Sequence, residues 1–245
     1  MNALQTLKAL GPIDLRNVRR DPMLRWMPLF PLLMVVVLRW GMPLLAEQLM
    51  LRLQVDIAPY YPLIVSAILL SVPMMFGAVV GFLLLDQRDE QTLTALQVSP
   101  LSLGHYLAYR CLVPMVIGLA GDLLLLACNG LVPLSPGGVL LASLSVAPLT
   151  PIFALFFACV ARNKVQGFAL MKVTGLISMP PLAAWFIQSG WEIAFGLLPT
   201  YWPLKLFWLL EAGQGQVGVF FLLGMAYQAL ILAGLLRWYK RAVQR

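Results

Sequence analysis

Six long apolar stretches run through this 245-residue chain, each close to the roughly 20 residues a helix needs to cross a bilayer core of about 30 Å. Lipid is then the solvent, and a backbone in lipid must satisfy its own hydrogen bonds, which leaves helices as the spanning elements for runs of this length. Composition agrees: 61% hydrophobic and 11% charged residues, with mean hydropathy +0.86, lie far from the averages of soluble domains. Apolar runs bounded by charge, Pro or Gly place the spans at 27–46, 61–85, 106–127, 139–160, 168–187 and 217–238. The expected fold class is all-α, a polytopic membrane protein whose single six-helix domain covers 27–238. It lies between an arm at 1–26 and a basic tail at 239–245. The arm mixes Lys8, Arg16, Arg19, Arg20 and Arg25 with two acids and has no uninterrupted apolar core, so span one is expected to double as the targeting signal.

Basic residues set the orientation, because Lys and Arg are retained on the cytoplasmic side of short loops. With the N-terminus inside, the inner set is Lys8, Arg16, Arg19, Arg20, Arg25, Arg88, Arg110, Arg162, Lys164, Lys172, Arg237, Lys240, Arg241 and Arg245. Only Arg52 and Lys205 fall outside, and Arg39 lies within a span. The chain is expected in the bacterial plasma membrane with both termini cytoplasmic. Its net charge of +7 then lies beside anionic lipid headgroups, which accounts for the excess without a nucleic-acid partner. Cys111, Cys128 and Cys159 stand singly in or beside spans, a spacing for neither disulfides nor metal, and the lone His105 excludes a paired-histidine haem site. No cofactor or metal is expected on this chain.

Three segments depart from plain spanning helix. In the arm, Ile13, Leu15, Val18, Leu24 and Trp26 interleave with Asp14, Arg16, Arg19 and Arg20, the pattern of a helix lying on the inner membrane surface, and Pro22 separates it from span one. The alternative, a basic flank that only sets topology, does not account for the apolar residues between the charges. The inner loop 86–104 carries Asp86, Asp89 and Glu90, three of the chain's ten acids. Thr92 to Val98 can form a short helix with Leu93 and Leu96 on one face, acids at its start, and Ser99-Pro100 at its end, which suits a docking element better than a solvated linker. The outer segment 188–216 is rich in aromatics yet chopped by Gly190, Gly196, Pro199, Pro203 and Gly213, so it is expected as a hairpin dipping into the outer leaflet under protein cover. Trp185, Trp191, Trp202 and Trp208 would lie at the outer interface.

The inner loop resembles that of the membrane subunits of type-2 ATP-binding-cassette (ABC) exporters, in which an acidic pair is followed by Thr-Leu, a leucine-rich turn and Ser/Thr-Pro-Leu-Ser. Here those positions are Asp89, Glu90, Thr92, Leu93, Leu96, Ser99, Pro100, Leu101 and Ser102, with Gln91 and Arg110 where family members often have Gly and Lys. The six-span plan and the arm extend the likeness over nearly the whole chain, and the short bacterial permeases of antibiotic export, including fluoroquinolone systems, are similar. The resemblance implies a coupling helix in this loop, with Asp86, Arg88, Asp89, Glu90, Thr92, Leu93, Leu96, Ser99 and Pro100 facing a separate nucleotide-binding ATPase that holds ATP and Mg. It also implies a re-entrant outer hairpin, movement of spans one, two and five, and outward transport.

Arg39 in span one and Asp122 in span three are intramembrane charges at similar depth by residue count, which permits an ion pair. Arg39 could instead snorkel beside Trp40, and either charge could line a translocation path. Pro73, Pro114, Pro148, Pro151 and Pro180-Pro181 are expected to interrupt spans two to five. Gly77 and Gly81, four apart, suit a close helix approach and suggest a dimer seam. No phosphate-binding loop, zinc-protease motif or nucleophile elbow occurs.

The chain therefore reads as a conduit that borrows free energy. It would move a drug, lipid or glycolipid outward, paired with ATPase subunits and a second permease subunit, identical or related, because six spans enclose too little alone. Two other readings remain open: an intramembrane enzyme using Asp122, Lys172 and His105, and a non-transporting scaffold.

Overall fold

The computed structural model describes residues 3–22, 24–89, 103–187 and 189–243; the expected coupling residues Glu90, Thr92, Leu93, Leu96, Ser99 and Pro100 lie outside them. Among the described residues the α-helices are α1 (Ala3–Arg20), α2 (Phe30–Val36), α3 (Met42–Leu53), α4 (Tyr61–Asp89), α5 (Leu103–Cys128), α6 (Pro136–Val146), α7 (Leu149–Val160), α8 (Lys164–Ile177), α9 (Tyr201–Glu211) and α10 (Val217–Val243), with no strand. The chain is an all-α polytopic membrane protein with six helices long and apolar enough to span: Met27–Leu53, Ala58–Arg88, Gly104–Cys128, Pro136–Val160, Lys164–Phe186 and Val217–Arg241. They outrun the apolar runs in the sequence, most at span one, where the helix continues through Glu47 and Arg52 until Gln54 closes it at φ 53°.

Span two is the axis. Its most apolar window is 78% buried and that of span four 72%, against 11% for spans one and six, which form the periphery of the chain. Spans two and four meet along their length because glycines remove the side chains between them. A Cβ on Gly77 would lie 2.7 Å from Phe153 Cβ and 2.8 Å from the Thr150 carbonyl oxygen, and one on Gly81 would lie 2.9 Å from Phe157 Cβ. These glycines serve an intrachain seam, not the dimer seam their spacing suggests. Around it pack Phe82, Phe157, Leu69, Leu85 and Leu149, all fully buried or nearly so.

The prolines act unequally. Pro73 and Pro114 are accommodated inside continuous α4 and α5, so spans two and three are not interrupted. Pro148 divides span four into α6 and α7, and Pro180-Pro181 tighten the end of span five into a 3-10 helix at Pro180–Phe186. In span one the turn Val37–Gly41 widens to π-helix just before Pro43, which has no N–H for the Arg39 carbonyl and whose ring crowds it.

Local caps fix the connections. Asn129 accepts from the N–H groups of Leu131 and Val132, each at 2.8 Å, and turns the chain between spans three and four, where Gly130 takes φ +72°. Ser135 caps α6 through the Gly138 N–H at 3.1 Å, and Asn163 caps α8 through the Gln166 N–H at 3.0 Å.

In the outer segment α9 has 11 residues, about 16 Å of helix, too short to cross. It packs against α6, α10 and α4, burying Tyr201, Leu204, Phe207 and Trp208. The tryptophans differ from the expected interfacial belt. Trp208 is buried edge-on against Trp185 at 5.2 Å, and Trp202 donates to the Gly196 carbonyl at 3.0 Å and fills the space beside Gly224. Trp191 alone of the four is largely exposed.

Candidate functional site

At the end of the bundle that carries α1, polar side chains gather around both roots of the inner loop. Arg110, two turns into α5, reaches Asp14 of α1 with both Nη atoms, at 2.7 Å and 3.1 Å, and the Tyr109 hydroxyl donates to the same carboxylate at 2.8 Å. The pair is withdrawn from solvent, with side-chain exposures of 2% for Arg110 and 16% for Asp14. The guanidinium also lies over the Tyr106 ring at 5.3 Å and the Tyr109 ring at 5.5 Å, and the Tyr106 hydroxyl donates to Gln87 Oε1 at the end of α4. One fork thus ties the arm to span three, and a tyrosine ties span three to span two.

A second cluster holds the other end of the arm. Lys164, the first residue of α8, places Nζ 2.7 Å from Asp21 Oδ2 and 2.7 Å from Asp86 Oδ2. Beside it Arg88 donates to the carbonyl of Ala158 in the last turn of α7 at 3.5 Å and to those of Ala161 at 3.0 Å and Arg162 at 2.8 Å just beyond it, where a cation is also favoured by the helix dipole. Of the sequence-derived coupling residues, Asp86 and Arg88 therefore bind spans five and four, and Asp89 ends α4. Sequence reasoning missed the residues of the two clusters around them, Asp14, Asp21, Gln87, Tyr106, Tyr109 and Lys164. The one available signal was Asp14 and Asp21, two acids in an arm otherwise basic. The Lys164 cluster is partly exposed, so its ion pairs stabilise by roughly 1 kcal/mol or less each. Lys164→Glu, which sets three acids together, is expected to lower the melting temperature by a few degrees at low salt, with the gap to wild type narrowing at high salt.

The intramembrane charges do not pair. Span one meets span three at Pro31, whose Cγ lies 3.1 Å from where a Gly121 Cβ would stand. Arg39 comes eight residues later, about 12 Å further along a helix running the same way, and so lies level with the end of span three. There Arg39 Nη1 donates to the Cys128 carbonyl at 3.4 Å and the side chain passes over Trp40, exposed, as in the snorkelling alternative. Asp122 is fully buried, and neither carboxylate oxygen has a hydrogen-bond partner among the described residues. Nor do Asp122, Lys172 and His105 converge: Lys172 and His105 are exposed, and His105 is 17 residues, about 25 Å, from Asp122 along α5. No three His, Cys, Asp or Glu side chains among the described residues form a metal-sized cluster.

Fold and site together define a polytopic membrane protein with two polar side-chain clusters at the end of the bundle that carries α1. The family of fluoroquinolones export permease proteins described as Rv2686c-like matches residues 14–236. The chain is also 35% identical over 243 residues to the fluoroquinolones export permease proteins MT2760 and Rv2686c of Mycobacterium tuberculosis, from strains CDC 1551 / Oshkosh and ATCC 25618 / H37Rv. Each alignment covers 96% of this chain and 94% of the relative. The chain belongs to this family of membrane export permeases. No solved structure matches it.

Proposed function

We propose that this chain is the membrane-spanning subunit of an ATP-driven ABC exporter in the bacterial plasma membrane, with the arm end of the bundle in the cytoplasm. A separate nucleotide-binding ATPase, holding ATP and Mg, acts on the loop between α4 and α5, and a second permease subunit, identical or related, completes the path. The cargo is a hydrophobic or amphipathic compound moved outward, and the names of the relatives make fluoroquinolones the first class to assay.

The observation that carries this reading is the anchoring of both loop roots. Residues 86–88 are bonded to α7 and α8, and residues 106–110 to α1, so displacement of the loop would drag the arm and four spans with it. An enzyme reading lacks a converged site, and a scaffold would not need its docking loop tied into the transmembrane helices.

Co-purification with a nucleotide-binding ATPase from the same cell tests the proposal. The wild-type chain is expected to retain that ATPase through detergent extraction, and Glu90→Lys or Leu93→Asp to lose at least tenfold of it while the permease itself still folds. Undiminished association in both variants, or drug extrusion by the permease with no ATPase present, would overturn it.

A further inference from the structure

An apolar cavity of about 340 Å³ lies under the arm, between α1, α4 and α5. Its roof is Leu15 and Val18, in the stretch of α1 between the bond of Asp14 to Arg110 and the bond of Asp21 to Lys164. Val80 and Leu83 of α4 and Val113 and Pro114 of α5 line it from below. Leu15 and Ile117, 53% and 47% exposed, form a rim. Leu112 and Val116, beside Ile117 on α5, are more than half exposed, so this side faces the hydrocarbon of the membrane.

Water does not suit such a space, because it needs about 2–4 polar partners and meets almost wholly apolar walls. Left empty, the cavity would forfeit dispersion contacts along every wall. The apolar matter at its rim is lipid acyl chain. A chain that slides in gains no hydrophobic free energy, since the bilayer is as apolar as the walls, so close contact and the headgroup must select it. The rim carries the selecting charge. Gly11, Leu15 and Arg19 lie on one stripe of α1, so the stripe that lines the cavity at Gly11 and Leu15 runs on into Arg19, with Arg16 one turn back. Both arginines are exposed, and neither forms an ion pair among the described residues, the arm's acids Asp14 and Asp21 being bonded to Arg110 and Lys164. Cations without carboxylates at a membrane surface attract anionic headgroups.

We propose that the cavity is a site for one anionic phospholipid: an acyl chain lies between α1, α4 and α5, the phosphate sits on Arg19 and Arg16 at the rim, and the second chain stays in the bilayer. The arm, bonded down on both sides of the roof, holds this lipid as a fixed part of the subunit and not as cargo. The site does not rest on the exporter reading.

The test is native mass spectrometry of the full chain, without ATPase, released from nanodiscs of equimolar dioleoylphosphatidylcholine and dioleoylphosphatidylglycerol. One phosphatidylglycerol per chain is expected to survive release, at least tenfold over phosphatidylcholine. Arg16→Gln combined with Arg19→Gln should lower that retention tenfold or more. Val80→Trp fills the cavity from α4 and should lower it as far with every arginine in place; should that variant not fold, Leu15→Trp blocks the rim from the arm. Dihexanoylphosphatidylglycerol, which has the same headgroup on short chains, should fail to displace the retained lipid. Absence of any retained phospholipid, or phosphatidylcholine retained as well as phosphatidylglycerol, overturns the proposal. So does phosphatidylglycerol retention that neither plug reduces, which assigns it to the charge of the arm alone, and so does a free fatty acid retained in place of the phospholipid. Because no ATPase is present, failure here leaves the exporter proposal standing, and failed ATPase association leaves this result standing.

Discussion

Gly77→Ala is expected to destabilise the folded chain by about 1–2 kcal/mol, a fall of roughly 2–8 °C in melting temperature for a chain of this size. The added Cβ would stand 2.7 Å from Phe153 Cβ and 2.8 Å from the Thr150 carbonyl oxygen. Neither atom belongs to the free end of a side chain, so α4 and α7 must separate along the most buried contact of the bundle. Overpacking of this kind costs about 1–3 kcal/mol, against a gain of roughly 1 kcal/mol from replacing glycine in a helix, so the steric term wins. Gly81→Ala, with its nearest neighbours at 2.9 Å and 3.1 Å, should follow with a smaller loss, and Gly77→Leu should yield no folded protein. Gly234→Ala supplies the control, since nothing lies within 4 Å of its Cβ position, and should match or exceed the wild type. Thermal unfolding and light-scattering mass of the purified protein separate this intrachain seam from a subunit interface. A Gly77→Ala chain that melts as wild type but loses dimer mass would return the glycines to the dimer.

What the sequence made legible was the part governed by local pattern. Six apolar runs of spanning length and Pro180-Pro181 near the end of a span each announce their structure within a few residues. Position across the membrane is a weaker inference. Residue counts from the span ends set Arg39 and Asp122 level, whereas the contact of Pro31 with Gly121 sets the register and leaves them about two turns apart. Gly77 and Gly81 likewise declare that a helix comes close without declaring which one. Residue type alone puts Trp208 at the interface, whereas its burial against Trp185 depends on how α9 folds back.

The candidate site was the least legible, because its bonds join residues far apart in the chain. Asp14 meets Arg110 across 96 positions and Asp21 meets Lys164 across 143. No periodicity or motif couples such pairs; only the docking of α1 on the ends of spans two, three and five brings them together. The inner loop was recognised from its own residues, but its connection to the bundle was visible only once the helices were assembled.

That docking leads to the second large effect. Asp14→Ala removes the only carboxylate, among the described residues, on a guanidinium that is 2% exposed, leaving both Nη atoms and the Tyr109 hydroxyl without their acceptor. Stripping one member from a buried ion pair costs about 3–5 kcal/mol, several times what the partly exposed Lys164 cluster contributes per pair. The chain need not unfold to escape that cost, because α1 lies against the bundle from outside and can lift, letting water reach Arg110. The expected result is therefore local: amide exchange across residues 10–20 accelerates by a factor of ten or more, while exchange in α4 and α7 and the melting of the bundle stay near wild type. Pairing Asp14→Leu with Arg110→Leu should restore slow exchange, because an apolar pair of similar bulk avoids the desolvation that the charges incur. Asp14→Asn, which keeps an acceptor for Tyr109 but loses the charge, should fall between. Hydrogen–deuterium exchange of the chain in lipid nanodiscs decides the matter, and unaltered protection of residues 10–20 in Asp14→Ala would show that the apolar contacts of Val18 and Leu24, rather than the buried fork, hold the arm down.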